Sequence, residues 1–565
     1  METYTEKDTK SEGVVAVEPE FEVATAQPVP TTFLGRLRKK LMLKSADDSR
    51  RSNEDLDPVT PDRRTWRAYN YIMYWISDCY SAGSWRNGSS LMEAGLSWRL
   101  ALLNIAIAYI LMAAIITING VVGSRYHVAF TVQSRSAFGY YLSHVMVAMR
   151  MIVGVFWYGT NNYTGAECVR SMLYAIWPSF RNVPNHLPAS ANITTQLLAS
   201  YVIYWILTVP VHLVPMHKLR WFFTFKSLFT PIAGFAIMGW VINKVGVGKD
   251  SALFSGGNAY TGSTLGWSFM SCLYASMGSY ATLACNINDF TRYAKSERNT
   301  YVQAFIIPAL FTFVTFMGLV GASGSKALYG TISWDPLVLI DHWTSKGGRA
   351  AAFFCALTFF IAQIGVNISA NSISAANDLN CLFPRYINIR RGQMIVAVIG
   401  AWALTPWNIL SSAAGFLSFM SGYTIWLGPM CGILVSDFYF VHHQKLDVYQ
   451  LYDKEGIYRF NKYGINWRAL VAFFVGFVPL LPGFIHSINA NIEVNEGIIH
   501  LYNLGYFWGF GSAAVVHVAL NRFWPHAESQ IPEAVYPDDS AYYETAESSS
   551  VEVVGEKKSM FKRFV

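Results

Sequence analysis

The chain has 565 residues, of which 53% are hydrophobic and only 14% are charged, with a formal net charge of +7. Soluble domains carry about 25% charged residues, and here long apolar runs fill residues 68–525 while both ends are polar. Soluble helices rarely extend so far without a polar face. This composition therefore excludes a water-soluble globular protein and indicates a polytopic membrane protein.

Twelve transmembrane helices are predicted between two polar tails. Residues 1–60 are predicted to be a disordered cytoplasmic tail because they are polar with few aromatic residues, and residues 525–565 because they are acidic and rich in Ser. Residues 61–524 form the predicted transmembrane domain, since apolar runs of about 18 or more residues cross a bilayer as helices. The predicted spans are 69–93, 98–122, 141–175, 195–215, 219–244, 265–292, 300–322, 348–376, 393–410, 412–440, 466–488 and 500–523.

The distribution of Lys and Arg between the spans predicts the orientation. Counted from a cytoplasmic N-terminus, the inside loops hold most of the basic residues, for example Arg385, Arg390 and Arg391. Cytoplasmic loops of membrane proteins are enriched in Lys and Arg. With an even number of spans, both termini are predicted to lie in the cytoplasm.

Two of the predicted spans contain small polar residues where a continuous helix is expected. In span one these are residues 75–85, with a carboxylate at Asp78, and in span six they are residues 278–282. Transporters hold their solutes at broken helices related by internal repeats. The two breaks begin successive groups of five spans, which predicts a five-plus-five inverted repeat followed by two additional helices.

Ionisable residues inside a membrane are costly and are candidates for function. Asp78 and Lys226 are the two deepest in this chain. Lys226 alternatively extends to the cytoplasmic interface, and Asp78 alternatively bonds the broken backbone of span one. Both interpretations remain open from the sequence.

Aromatic and amide side chains on two spans could bind a flat ring. Trp157 and Asn161 are four residues apart in span three, and Asn367 and Asn371 are four apart in span eight, so each pair shares one helix face. A Trp face stacks on a flat ring, and amides can read its polar edge. The alternatives are packing for Trp157 and bonds between helices for the amides.

Several longer motifs add a resemblance to a known family. The sequence resembles the first family of nucleobase–cation symporters, specifically the fungal Fur-type uracil, uridine and allantoin permeases, over about residues 53–525. The motifs are Asp-Leu-Asp-Pro at 55–58, Asn-Ile-Asn-Asp-Phe-Thr-Arg-Tyr at 286–293, Asn-Ile-Ser-Ala-Asn-Ser at 367–372, Phe-Pro-Arg-Tyr-Ile-Asn-Ile-Arg-Arg-Gly at 383–392 and Pro-Trp-Asn at 406–408. The resemblance implies the fold of the leucine transporter and proton-coupled uptake of a flat nitrogen heterocycle across the plasma membrane.

The resemblance also implies roles for individual residues. The substrate-binding residues it implies are Trp157, Tyr280, Asn371 and Asn367, with Asn161 at the position of the family's Gln. The residues implied in proton coupling are Asp78 and Lys226, and the implied outer gate lies in residues 416–423, with Phe419 and Met420. The resemblance to fungal permeases further suggests Lys557 and Lys558 as ubiquitin acceptors, through which a ubiquitin ligase would control endocytosis of the protein.

Two departures leave the solute open. Asn161 is one methylene shorter than the family's Gln, and Asn at this position resembles the thiamine and nicotinamide riboside branch, as do residues 80–85. A solute-sensing transceptor would keep the same pocket.

An enzyme is not expected, because the sequence lacks HExxH, GxSxG and GxxxxGK[ST] motifs. The scattered cysteines predict no metal site. Apart from the coupling ion no cofactor is expected, and nucleic acid is not an expected partner.

Overall fold

The computed structural model describes residues 40–43, 51–214, 216–248, 251–403 and 405–537. By its internal contacts the chain divides into two units, Met1–Met42 and Leu43–Val565, and the helical body belongs to the second. Over the described ranges the backbone is helical, with two isolated bridges and no sheet. The predicted all-α class is confirmed.

Eight helices in the described part of the chain are long and apolar enough to cross a membrane. They are Trp98–Tyr126, Leu142–Ile176, Ala189–Leu213, Thr224–Val245, Glu297–Tyr329, Lys346–Leu382, Ala413–Val441 and Trp467–Ile488. They coincide with predicted spans two to five, seven, eight, ten and eleven.

The other four predicted spans are also helical, but each is interrupted or short. Spans one, six and twelve are interrupted, and span nine has only 14 residues. Their helices are Ala68–Cys79 and Ala82–Glu93 in span one, Gly262–Gly278 and Ala281–Asn286 in span six, Ile389–Trp402 in span nine, and Glu496–Asn503 and Gly505–Phe523 in span twelve. The sequence predicts such an interruption in spans one and six.

The ends of two spans differ from the prediction. Span nine ends at Trp402 rather than 410, because Pro406 begins a 3-10 stretch, and the conformation of a residue preceding proline is restricted. Span seven continues past 322 to Tyr329 and ends where Gly330 adopts a left-handed conformation with φ 78°.

Short helices between spans were not predicted, and two of them pack near the spans that flank the cavity. Phe130–Phe138 follows span two, and Pro336–Asp341 precedes span eight. Asp335 caps the second of these helices by accepting a hydrogen bond from the Leu337 N–H at 2.9 Å. Both helices are shorter than a membrane crossing requires, so a search for long apolar runs does not find them.

The outer surface of the spans is apolar, which fits a lipid environment. Large hydrophobic side chains are exposed along the spans, whereas many amides and hydroxyls of the same helices are buried. The exposed side chains include Leu103, Ile110, Leu228, Ile232, Phe305 and Phe354. Hydrogen bonding of the backbone within each helix makes this arrangement stable in lipid.

Spans one and seven approach each other closely at two glycines. A Cβ added to Gly88 would lie 2.8 Å from the Thr315 carbonyl oxygen, and one added to Gly318 would lie 2.3 Å from the Trp85 carbonyl oxygen. Small residues allow helix backbones to come this close in membranes. The contact holds the second half of span one, Ala82–Glu93, firmly against span seven.

Most of both predicted tails, with Lys557 and Lys558, lies outside the described residues. Near the predicted boundary at 60, the Asn53 amide is buried and donates to the Asn380 side-chain oxygen at 2.6 Å and the Pro384 carbonyl at 2.8 Å. At the other end, the Val535 N–H donates to the Leu446 carbonyl at 3.0 Å. The folded body therefore extends beyond 61–524 in both directions, because these groups find their partners on it.

Candidate functional site

Spans one and six each have a non-helical break at the position that the sequence predicts. The first helix of span one ends at Cys79 and the next begins at Ala82, where the Ser81 side chain accepts a hydrogen bond from the Ser84 N–H at 3.3 Å. In span six the helix ends at Gly278 and resumes at Ala281. Both predicted breaks are confirmed.

A cavity with about 590 Å³ of space between its atoms, part of it open to solvent, lies at the two breaks. Residues from spans one, two, three, six, eight and ten line it. They are Asp78, Ser81, Gly83, Ser84, Asn87, Tyr109, Trp157, Asn161, Ser279, Tyr280, Thr282, Leu283, Val366, Ala370, Asn371 and Phe416. Five sequence-predicted site residues are therefore together: Asp78, Trp157, Asn161, Tyr280 and Asn371.

Two aromatic rings form separate parts of the cavity wall. The Trp157 indole N–H donates to the Tyr423 hydroxyl at 3.2 Å, and its ring centroid lies 5.3 Å from that of Phe419. The Tyr280 ring packs edge-on against Phe311, at 4.7 Å between centroids. Each ring is held by neighbours outside the cavity, so both present a fixed apolar surface to a solute.

The amides of Asn161 and Asn371 are oriented by the backbone of span three. Both donate from Nδ2 to the Trp157 carbonyl, Asn161 at 3.0 Å and Asn371 at 3.4 Å. Asn371 also donates to the Asn367 side-chain oxygen at 3.0 Å. These bonds use both N–H groups of Asn371 and one of the two of Asn161, and within the described residues no donor is bonded to either side-chain oxygen, so both oxygens are available as acceptors. The site is therefore suited to a solute with N–H donors on its edge.

Asn367 does not line the cavity. Its Nδ2 donates to the Tyr158 carbonyl at 3.3 Å, and its Oδ1 accepts from Asn371. Residues Asn367–Ser372 form a π-helical segment, a distortion that is frequent at functional sites. Asn367 thus supports Asn371 from behind rather than facing the solute.

Asp78 and Lys226 are both buried behind the break of span one. Asp78 accepts a hydrogen bond from the Tyr280 hydroxyl at 2.8 Å through Oδ2, and its Oδ1 has no hydrogen-bond partner in the described part of the chain. Lys226 is completely buried, interacts electrostatically with Asp78, and its ammonium likewise lacks a hydrogen bond there. The lysine lies inside the protein against Gly365 of span eight rather than extending to the interface.

The predicted gate residues lie beside the cavity and not in its lining. Phe419 contacts the ring of Trp157, whereas Met420 is fully buried. A Cβ added to Gly278 would lie 2.1 Å from the Met420 carbonyl oxygen, so this part of span ten packs directly on the break of span six. In the predicted gate segment 416–423, Phe416 alone lines the cavity.

Comparison with known proteins decides the family. Residues 58–509 match a family described as permeases for cytosine/purines, uracil, thiamine and allantoin. The chain belongs to this family. It is 45% identical to an uncharacterized permease of Schizosaccharomyces pombe, over 91% of this chain and 90% of the relative. It is 33% identical to the uracil permease of Saccharomyces cerevisiae, over 86% of this chain and 78% of that protein.

The solved structure of Mhp1, a nucleobase-cation-symport-1 family transporter, shares the fold. Its closed conformation with bromovinylhydantoin bound gives a TM-score of 0.65 at 20% identity, covering 85% of this permease and 98% of Mhp1. The predicted leucine-transporter-like fold with its inverted repeat is confirmed. The chain is a membrane transporter and not an enzyme, because the family consists of permeases.

Sequence reasoning did not select Asn87 and Tyr109, which both line the permease's cavity. Asn87 lies on the second half of span one and Tyr109 on span two. Tyr109 sits within an apolar run and carries no local signal that distinguishes it from packing residues. For Asn87 the signal was available, because it is an amide three residues after Ser84 and on the same helix face.

A buried charged cluster joins the cavity wall to a loop helix of the permease. The Arg86 Nη2 pairs with Glu167 of span three and, at 2.6 Å, with Asp335, while its Nη1 donates to Thr164 at 2.7 Å. The guanidinium lies 5.3 Å from the Trp334 ring centroid. Arg86 thus connects the second half of span one to span three and to the segment preceding helix Pro336–Asp341.

Replacing Arg86 with Met should strongly destabilise the permease. Removing one partner of a buried ion pair typically costs about 3–5 kcal/mol, because the remaining charges are left uncompensated. Thermal unfolding in detergent should show a large fall in melting temperature. The matched control is Arg63→Met, since Arg63 pairs with Glu54 where both side chains are more than half exposed, and such pairs contribute about 1 kcal/mol or less. Equal melting temperatures for the two variants would contradict the expected role of Arg86.

Proposed function

We propose that this permease takes up a flat nitrogen heterocycle of the uracil, uridine or allantoin class by proton-coupled alternating access. The observation that carries the proposal is the orientation of Asn161 and Asn371. Both residues line the cavity and donate from Nδ2 to the Trp157 carbonyl, which leaves their side-chain oxygens available to accept from a solute. Uracil-like and hydantoin-like rings present N–H donors on their edges, and the name of the uracil permease relative supports this class.

In this mechanism the ring binds between the surfaces of Trp157 and Tyr280, and its N–H groups donate to Asn161 and Asn371. Asp78 takes a proton when the cavity is open to the outside. Because the Tyr280 hydroxyl donates to Asp78, a change in the charge of that carboxylate acts directly on a residue of the binding site. The bundle containing span one then rocks against the other helices, as alternating access requires.

The role of Lys226 can be tested without changing a charge. A Cβ added to Gly365 would lie 2.6 Å from the Lys226 Cδ and 2.9 Å from its Nζ, so Gly365→Ala must displace the lysine side chain. We expect concentrative uptake to fall by about tenfold or more as the ammonium moves away from Asp78. The comparison variant is Gly239→Ala in span five, where an added Cβ meets nothing within 4 Å. Unchanged uptake by Gly365→Ala at equal surface abundance would remove Lys226 from the mechanism.

Competition with methylated rings tests the proposed class of solute. Uracil methylated at one or the other ring nitrogen keeps its shape but loses one N–H donor, leaving a buried carbonyl oxygen unpaired. At least one methylated form should compete about tenfold less well than uracil for uptake. The class would be wrong if uracil, uridine and allantoin all failed to compete with any transported solute, or if methylation of both nitrogens had no effect.

A second candidate solute class is thiamine or nicotinamide riboside. The observation that favours it is Asn161, whose short side chain is fixed to the Trp157 carbonyl and leaves more room than a Gln would. Inclusion of both vitamins in the uptake measurements separates the two classes. A transceptor binds its solute without transporting it. It would therefore bind these compounds competitively while the cells show no uptake of any of them.

We further propose that the permease lies in the plasma membrane with both termini in the cytoplasm. The Lys and Arg distribution of the sequence supports this orientation. Regulation by a ubiquitin ligase acting on Lys557 and Lys558 belongs to the same proposal. Substitution of both lysines by Arg should slow removal of the permease from the cell surface.

A further inference from the structure

The side-chain oxygen of Asn87, a residue of the cavity wall, is fully buried and lacks a hydrogen-bond partner among the described residues. Asn87 lines the cavity, and only 1% of the residue is exposed. Its Nδ2 donates to the Tyr109 hydroxyl at 2.9 Å, whereas its Oδ1 has no partner among the residues that the structure describes. An unpaired buried acceptor is destabilising, so such a group calls for an explanation in a native protein.

The Asn87 side chain is held in a rigid setting. Its partner Tyr109 is completely buried and packs against Tyr280, at 5.8 Å between ring centroids, and Phe311, at 5.0 Å. The backbone of the same helix is fixed against span seven by the close approach at Gly88. A polar group held in this way is preorganised for a ligand and does not have to be ordered on binding.

The Asn87 oxygen belongs to a different part of the wall from the other two amide oxygens. Asn161 and Asn371 are fixed to span three through the Trp157 carbonyl. Asn87 is fixed to span two through Tyr109, on the side of the cavity that also holds Tyr280. A bare ring that donates its N–H groups to the Asn161 and Asn371 oxygens has no donor left for the Asn87 oxygen.

We propose that the Asn87 Oδ1 accepts a hydrogen bond from a substituent of the solute. This inference rests on the proposed function and narrows it: the preferred solute is a heterocycle that carries a hydroxyl-bearing or amide-bearing group, rather than the bare ring. Ribosyl groups and ureido groups both supply such a donor. A site built around a buried acceptor rejects a solute that lacks the donor, because the acceptor then stays unpaired.

Matched pairs of solutes test this proposal in yeast cells that lack their own transporters for these compounds. The pairs are 1-methyluracil and uridine, and hydantoin and allantoin, because the two members of each pair carry the same ring N–H groups. In at least one pair the wild-type permease should show an apparent KM about tenfold lower for the substituted member. Asn87→Leu should raise the KM of that member by about tenfold or more while changing the KM of the bare ring by no more than about twofold.

Two further variants separate recognition from structural support. Tyr109→Phe removes the hydroxyl that holds the Asn87 amide but keeps the Asn87 oxygen, so the preference for the substituted solute should weaken without being abolished. Asn87→Ala provides a second truncation if leucine is not accommodated, and the same loss of preference is expected. Surface abundance is measured for every variant, so that a KM change is not confused with a folding defect.

The possible failures are distinguishable. If the wild-type permease transports none of these solutes, the proposed function itself is wrong, and this inference is overturned with it. If it transports them without preferring the substituted member, or if the preference survives in both Asn87 variants, only the role of Asn87 is overturned. Equal loss of preference in Tyr109→Phe would also overturn it, because Asn87 would then act only through the tyrosine.

Discussion

Asp78→Asn should convert the permease from a concentrating transporter into one that at most equilibrates its solute. The substitution keeps the shape of the side chain and an oxygen that can accept from the Tyr280 hydroxyl, but it removes the carboxylate that we propose takes up and releases the proton. One coupled proton contributes about 2.3 kcal/mol per 100 mV of membrane potential, which corresponds to about fifty-fold accumulation. That accumulation should disappear in the variant.

The measurement is the ratio of internal to external labelled solute at steady state, at several external pH values. Glu54→Gln is a suitable control, because this side chain is 64% exposed and pairs only with an exposed arginine. The control should keep wild-type accumulation and pH dependence. Protonophore-sensitive accumulation by Asp78→Asn would show that another group carries the proton.

Asn371→Ala should produce the largest loss of apparent affinity among the binding residues. It removes one of the two carbonyl oxygens that face the cavity, and it also leaves the Asn367 oxygen without the N–H that it accepts. Each buried polar group left unpaired costs about 1–3 kcal/mol, so an increase in apparent KM of about tenfold to a hundredfold is expected. Initial rates of uptake over a range of solute concentrations provide the measurement.

The matched control for Asn371→Ala is Thr358→Val in the same span. The Thr358 hydroxyl donates only to the Phe354 carbonyl of its own helix, and the residue does not line the cavity. Its substitution should leave the KM unchanged. If Asn371→Ala reaches the cell surface with wild-type KM, Asn371 does not bind the solute.

The breaks in spans one and six could be predicted because they are local properties. Small polar residues at 75–85 and 278–282 interrupt otherwise apolar runs, and the helices end within these segments at Cys79 and Gly278. Their spacing of five spans was enough to predict the repeat. The helix distortion at Asn367–Ser372 could not be predicted in the same way, because nothing in its polar composition distinguishes a π-helical segment from an α-helical one.

The hydrogen-bond partners that side chains find on other spans could not be predicted from the sequence. Asn161 and Asn371 were expected to bond the polar edge of the ring, and the sequence did not predict that both would donate to the Trp157 carbonyl. The spacing of residues along a span predicts which of them share a helix face, but it does not predict which other helix that face contacts. For the same reason Tyr109 was not distinguished from other aromatic residues in apolar spans, although it holds Asn87 at the cavity.

The most direct test of a proton-coupled heterocycle permease is steady-state accumulation of labelled uracil, uridine and allantoin by transporter-deficient yeast expressing this chain. Labelled thiamine and nicotinamide riboside are measured in parallel. At least one of the first three should accumulate well above its external concentration, up to about fifty-fold per coupled proton at 100 mV, and a protonophore should reduce the ratio to one. Absence of any flux, or accumulation that persists with the protonophore, would contradict the proposal.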